Sequence, residues 1–506
     1  MSIVSLKFFM FIAATLLIYY ICMPKQRWIV LLVASVGFFL AVSSLALLLV
    51  FLAMVMVTWG AGLSISRLTT DEAKKTIAGF TIALLATVLI FYKENVFFIN
   101  IFNASMALFQ SSGFLRIPDW IAPLGISYYT LILIGYILDL SWGTIQEPQK
   151  NPLKLLLFAG YFPQMTSGPF CRYNDMAPSL WSGKRFQIKS LFMGAQRIVW
   201  GLFKKLVIAD RLAVPVSSVF DNGGHTGLIA ILGVFAYVLQ IYMDFSSCMD
   251  IVLGVSELFG ISLAENFQRP FFSTSLSELW RKWHITLGLW LKDYVLYPVL
   301  KSRWMGAIRS AQKICSSKRA QKNIPTYIGM FITWFCVGFW HGGSWNYILG
   351  SGLFFFLMIV GGLLLKPVFK AAARALCLKT ESFFWRLVGM TRTFLLFAFS
   401  ISFGRAGSVR KAFELWRSAI VDFDLTVLAD RSRLNVGLSL MDLGIAVAGL
   451  LVVFTVSLIQ EKHGSIRVLL QRKSVLLCWA LPVVLLIAVL ALGKFDQVTY
   501  FMYGNF

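Results

Sequence analysis

Residues 324–365 run for 42 positions without one Asp, Glu, Lys or Arg. A helix at the surface of a soluble domain needs a polar face, whereas roughly 20 apolar residues suffice to cross a bilayer. Further apolar runs, some carrying a charged residue or two, lie at 3–22, 28–45, 47–63, 77–98, 120–140, 198–208, 228–245, 394–403, 443–459 and 475–492. The first is interrupted only by Lys7 and shows no small-residue cleavage site, so it reads as a retained span rather than a signal peptide. Some runs are too short to cross alone. The expected fold is all-α: a polytopic membrane protein with about 11 transmembrane helices plus re-entrant or interfacial ones. It is expected to form a single integral membrane domain over residues 1–506.

Composition closes the alternatives. The apolar share is 58%, and the 38 glycines raise it to about 65%, against roughly 45 to 50% in a soluble domain. A disordered chain and a nucleic-acid module do not fit. Seven cysteines, an odd number without a CxxC pair, indicate neither a disulfide framework nor a zinc site. The 46 Lys and Arg against 23 Asp and Glu leave a charge of +23, which in a membrane protein reflects basic cytoplasmic loops rather than nucleic acid. The most lopsided loop, 301–323, carries seven bases and no acid and is placed in the cytoplasm. Residues 422–433, with Asp422, Asp424 and Asp430, are placed outside. No soluble domain, repeat or low-complexity tract is apparent.

Only four histidines occur. His225, in a glycine loop, and His463, beside Glu461 and Lys462, read as solvated. His341 lies within the uncharged run, where a polar side chain is costly unless something requires it. Gly342 and Gly343 follow, permitting a helix break and close approach of backbone to substrate. Ser344, Trp345 and Asn346 are nearby donors. A desolvated imidazole stays neutral and accepts a proton from a hydroxyl; a histidine hydrogen-bonded between helices is the structural alternative. Cys336, five residues earlier, points roughly 140° away on a helix and is a poor nucleophile candidate. No second ligand stands at metal spacing, so no metal is expected. His284 belongs to 275–298, which reads as one amphipathic helix with Ser275 and Glu278 as a capping box and Leu276, Trp280, Leu287, Leu291 and Tyr294 on its apolar stripe. His284 falls on that stripe. An alternative from a different class is an ion-coupled transporter, with Asp139, Asp244, Asp250 and Glu257 as a proton or cation relay; the same carboxylates could instead orient arginines or imidazoles.

A longer pattern runs through the chain: Gln240-Ile241-Tyr242-Met243-Asp244-Phe245-Ser246, Asp250, Glu265-Asn266-Phe267-Gln268-Arg269-Pro270-Phe271, Leu279-Trp280-Arg281-Lys282-Trp283-His284, and Gly338-Phe339-Trp340-His341-Gly342-Gly343-Ser344-Trp345. It resembles the membrane-bound O-acyltransferase superfamily. The order and 57-residue separation of the two histidines agree, and Ala122-Pro123-Leu124-Gly125 and Phe162-Pro163-Gln164 resemble its bacterial branch, which acetylates alginate or D-alanylates teichoic acids. The resemblance is firm over 90–350, the expected catalytic core, and looser over the C-terminal helices 366–506.

The resemblance implies a funnel-shaped helical fold in the cell membrane of a bacterium, with a tunnel at its thinned centre. It implies His341 as the essential catalytic residue and His284 as the second. Trp340, Ser344, Asn346 and Trp283 become candidates for tunnel lining or oxyanion support, and Asp244, Asp250, Asn266 and Arg269 for structural support. It also implies no bound cofactor, acetyl-CoA or an acyl carrier protein thioester as donor, and an extracytoplasmic hydroxyl acceptor. Membrane lipid and a soluble SGNH-hydrolase-like acyltransferase are the implied partners. There are departures: Tyr297-Pro298 lacks a following glycine pair, the motif 245–250 reads Phe-Ser-Ser-Cys-Met-Asp, and the terminal aromatic motif 500–506 is loosened. None touches the histidines. They bear on polymer and partner instead.

Overall fold

The computed structural model describes residues 2–109, 114–117, 122–222, 225–311, 318–429, 436–470, 475–495 and 501. Trp120, Lys313, Asp430 and nearly all of the terminal aromatic motif lie outside the described residues. Those described are helical, with one isolated antiparallel bridge between Phe267 and Trp283. The chain divides into two compact units. The first comprises Met1–Arg211, Ile241–Glu265 and Leu440–Phe506; the second comprises Leu212–Gln240 and Asn266–Ser439.

Among the described residues, seven helices are long and apolar enough to cross a membrane: Pro24–Val42, Leu45–Arg67, Asp71–Leu108, Gly227–Leu258, Trp345–Ala375, Phe383–Arg405 and Leu440–His463. Three shorter apolar helices, Leu6–Ile21, Ile126–Ser141 and Trp479–Leu492, join them. The protein is therefore an all-α, multi-pass membrane protein. Serine hydroxyls start several helices by accepting orphan amides: Ser5 from Phe8, Ser44 from Leu47 and Ser382 from Trp385. Large apolar side chains such as Leu6, Phe80 and Val484 stand outward. In water such a surface drives aggregation; against lipid tails it is satisfied.

In the first unit, helix Ile188–Leu202 passes into a wider π-helical stretch, Phe203–Ala209, that buries two consecutive lysines. Lys205 Nζ lies 2.7 Å from Asp244 Oδ1 and 2.9 Å from Asp210 Oδ1. Lys204 Nζ donates to Ser246 Oγ at 2.8 Å and lies 2.7 Å from Asp250 Oδ2. Arg197 donates to Asp250 and grips Glu265 with both arms of its fork, and Arg467 pairs with Glu257. Buried charges persist only when paired in this way. Asp244, Asp250 and Glu257 are thus tied to bases, the arrangement of carboxylates that orient arginines and lysines.

The second unit corrects one expectation and bears out another. Residues 275–298 are not one helix. Leu276–Lys282 ends at an extended Trp283, His284 adopts left-handed backbone (φ 46°, ψ 52°), and Ile285–Leu291 begins anew. The physical reason is competition from a neighbouring segment. Gln268 N donates to Lys282 O at 2.9 Å and Ile285 N to Asn266 O at 3.0 Å, diverting backbone groups that a continuous helix would use itself. The cap survives, since Ser275 accepts from Glu278 N, but Glu278 turns to Thr274 N and Lys282. The uncharged run is likewise two helices, Lys318–His341 and Trp345–Ala375, broken at the glycine pair. Small residues let these pieces meet backbone to backbone: a Cβ on Gly338 would lie 2.7 Å from Ile348 Cα, and one on Gly352 would lie 2.6 Å from Trp334 O.

Candidate active site

His341 is the last residue of helix Lys318–His341 and is buried, as is Trp340. The Trp340 ring centroid is 5.1 Å from that of His341 and 5.9 Å from that of His284. Two histidines 57 positions apart thus meet one indole, edge to face with both. The helix break is what delivers His284 there, as the left-handed residue between two seven-residue helices. That conformation costs an ordinary residue about 1 to 2 kcal/mol, and fixed hydrogen bonds compensate for it.

Asn266 supplies them. Its Oδ1 accepts from Thr286 N at 3.0 Å and Thr286 Oγ1 at 2.9 Å, and it lies 3.2 Å from His284 Nδ1. A backbone amide can only donate, so the atom facing the imidazole is the carbonyl oxygen, and His284 carries its proton on Nδ1. The lone pair then resides on Nε2. Burial, and secondarily the neighbouring His341, hold the His284 imidazole well below the usual histidine range. It is neutral at neutral pH.

The other candidates divide. Trp283 is buried in an aromatic cluster, its ring 5.2 Å from Phe267 and 5.0 Å from Phe397. Arg269, like His284, has left-handed backbone, and it begins the short turn Pro270–Phe272. Asn346 directs its amide to Phe403 O at 3.4 Å, and Ser344 is partly buried in the turn after the glycines, its N–H donating to Gly342 O at 2.7 Å. Asp244 and Asp250 belong to the ion-pair network of the first unit. Thr286 carries no sequence signal as a functional residue, yet it shares the Asn266 oxygen with His284. Among the described residues no three His, Cys, Asp or Glu side chains gather as a metal ion would require. The remaining arrangement is one suited to proton transfer: two imidazoles on a shared aromatic surface, one with its tautomer fixed.

Residues 144–309 match the model of the membrane-bound O-acyltransferase family. His284 falls inside that segment and His341 beyond it. The chain is 28% identical over 445 residues to the probable alginate O-acetylase of Pseudomonas syringae pv. tomato, covering 87% of this chain and 79% of that protein. It is 29% identical to the peptidoglycan O-acetyltransferase of Helicobacter pylori, over 51% of this chain and 50% of the relative. The teichoic acid D-alanyltransferase of Streptococcus thermophilus is 28% identical over 44% of this chain and 53% of its own length.

Proposed function

Because the chain carries a membrane-bound O-acyltransferase domain, we propose that it moves an acyl group, acetyl in the reading we favour, from a cytoplasmic thioester to an extracytoplasmic hydroxyl. The acceptor is a cell-envelope polysaccharide, or a partner protein of the SGNH-hydrolase type that completes the transfer. The single observation that carries this reading is the convergence of His284 and His341 on Trp340. The protein acts in the cell membrane, with loop 301–323 on the donor side.

Thioesters are made inside and envelope polymers lie outside, so the acyl group needs a protected way across. In this reading His341 takes the proton of the acceptor hydroxyl as its oxygen attacks the thioester carbonyl. The tetrahedral intermediate collapses with cleavage of the carbon–sulfur bond, and the proton passes from His341 to the departing thiolate. Backbone and indole N–H groups near the glycine turn steady the oxyanion. His284, neutral with its lone pair on Nε2, positions the donor. Acetyl-CoA or an acyl carrier protein supplies the thioester, with no bound cofactor.

D-alanyl transfer to teichoic acid is the second reading, favoured by the match to the S. thermophilus protein. Mass spectrometry of envelope polymers from cells with and without the gene separates the two. Loss of O-acetyl groups supports the first reading and loss of D-alanyl esters the second. An unchanged set of esters counts against both.

A further inference from the structure

His341 ends its helix and is followed by Gly342 and Gly343, the residues that leave a backbone freest. A proton-transfer group in that position needs an external support. Gly342 N donates to Phe339 O at 3.3 Å, a long bond for a helix end. The support comes from five residues on. The Tyr347 ring fills the space that two glycines leave empty: a Cβ on Gly342 would lie 2.9 Å from Tyr347 Cδ2, and one on Gly404 would lie 2.8 Å from Cε1. Both distances are shorter than carbon atoms tolerate, so the ring is held between the His341 turn and helix Phe383–Arg405. The far wall is itself anchored. Arg405, next to Gly404, binds both carboxylate oxygens of Asp221. Asn346 and Ser400 add bonds across the same layer, to Phe403 O and Gly350 O.

We infer that Tyr347 is a positioning residue for His341, its ring wedged between Gly342 and Gly404 so that the end of helix Lys318–His341 is fixed against helix Phe383–Arg405. This rests on the reading of His341 as the base. The wedge acts on the placement of the imidazole, not on donor binding, so its removal lowers kcat while leaving KM for the thioester unchanged.

The test measures thioester-dependent acyl transfer by monodisperse, detergent-extracted protein. Tyr347→Leu, which removes the ring, is expected to lower kcat roughly 10- to 100-fold, the scale of a misplaced catalytic group. Tyr347→Phe, which keeps the ring, restores most of it. Gly404→Ala, which pushes the ring from behind, lowers kcat too, and the double variant Tyr347→Leu/Gly404→Ala is no worse than the poorer single one because both act through one contact. If Tyr347→Leu does not assemble, Tyr347→Met makes the same comparison and Gly404→Ala makes it from the other face. Undiminished kcat in the ring-removed variant, or effects that multiply in the double variant, would overturn the inference. His341→Ala distinguishes the failures. If it is inactive while Tyr347→Leu is normal, only the wedge is wrong; if it transfers normally, the reading of His341 as the base is wrong and the wedge falls with it.

Discussion

Replacing Asn266 by Ala tests how the second histidine is held. The substitution removes an oxygen that faces His284 Nδ1, Thr286 N and Thr286 Oγ1, in a place where all three residues are buried. The hydroxyl can rotate, but the imidazole N–H and the amide cannot escape. Each buried donor left without an acceptor costs about 1 to 3 kcal/mol, so the two together cost about 2 to 6 kcal/mol. A water entering the space that the side chain leaves brings the loss to the lower end. The effect on chemistry is separate. Without that acceptor the Nδ1–H tautomer of His284 loses the bond that favours it, while the backbone bonds from Ile285 N to Asn266 O and from Gln268 N to Lys282 O still hold the helix break. Asn266→Asp is the informative companion, because it keeps the acceptor oxygens but sets a negative charge beside the ring, favouring imidazolium. Asn266→Ala is expected to lower both the unfolding midpoint in detergent and the rate of acyl transfer. Asn266→Asp retains more of the stability while moving the pH dependence of transfer toward higher pH. An Asn266→Ala protein with the midpoint and transfer rate of the parent would refute the reasoning.

The depressed His284 pKa makes a stability prediction of definite sign. The unfolded chain takes up this proton near pH 6.5 and the folded chain does not, so stability is complete above about pH 6.5 and falls below it by at most about 1.4 kcal/mol per pH unit. In His284→Gln that share of the acid-side slope should vanish in unfolding curves recorded on either side of the window; an identical slope would contradict the burial of a neutral imidazole. Arg197→Met leaves the half-exposed Glu265 without its fork and Asp250 with Lys204, a loss of about 1 to 3 kcal/mol. It should lower the yield and unfolding midpoint of extracted protein sharply, and normal values for both would show that the network contributes little.

Much of this was legible in the chain because bilayer crossing imposes a length and an apolar content that sequence displays directly. The helices Leu45–Arg67 and Leu440–His463 coincide closely with their apolar runs. The glycine pair after His341 marked its helix end for the same local reason, and the scarcity of histidine drew attention to both imidazoles. What stayed hidden depends on partners distant in sequence. The apolar spacing of 275–298 satisfies a helix, and nothing within it announces that Asn266 and Gln268 will take over its backbone groups. Asp244, Asp250 and Glu257 next to apolar runs are equally compatible with a relay and with ion pairing until Lys204, Lys205, Arg197 and Arg467 are placed. Tyr347 reads as one more aromatic residue in an apolar helix, since its role depends on Gly404, 57 residues away.

The central claim is that His341 performs the proton transfer of an acyl-transfer reaction. Its most direct test incubates membranes containing the His341→Ala protein with a labelled acetyl thioester and the envelope acceptor, and follows label into ester linkage. The His341→Ala protein is expected to be extracted and to unfold like the parent yet to transfer no label above background. Label appearing at the parental rate would contradict it.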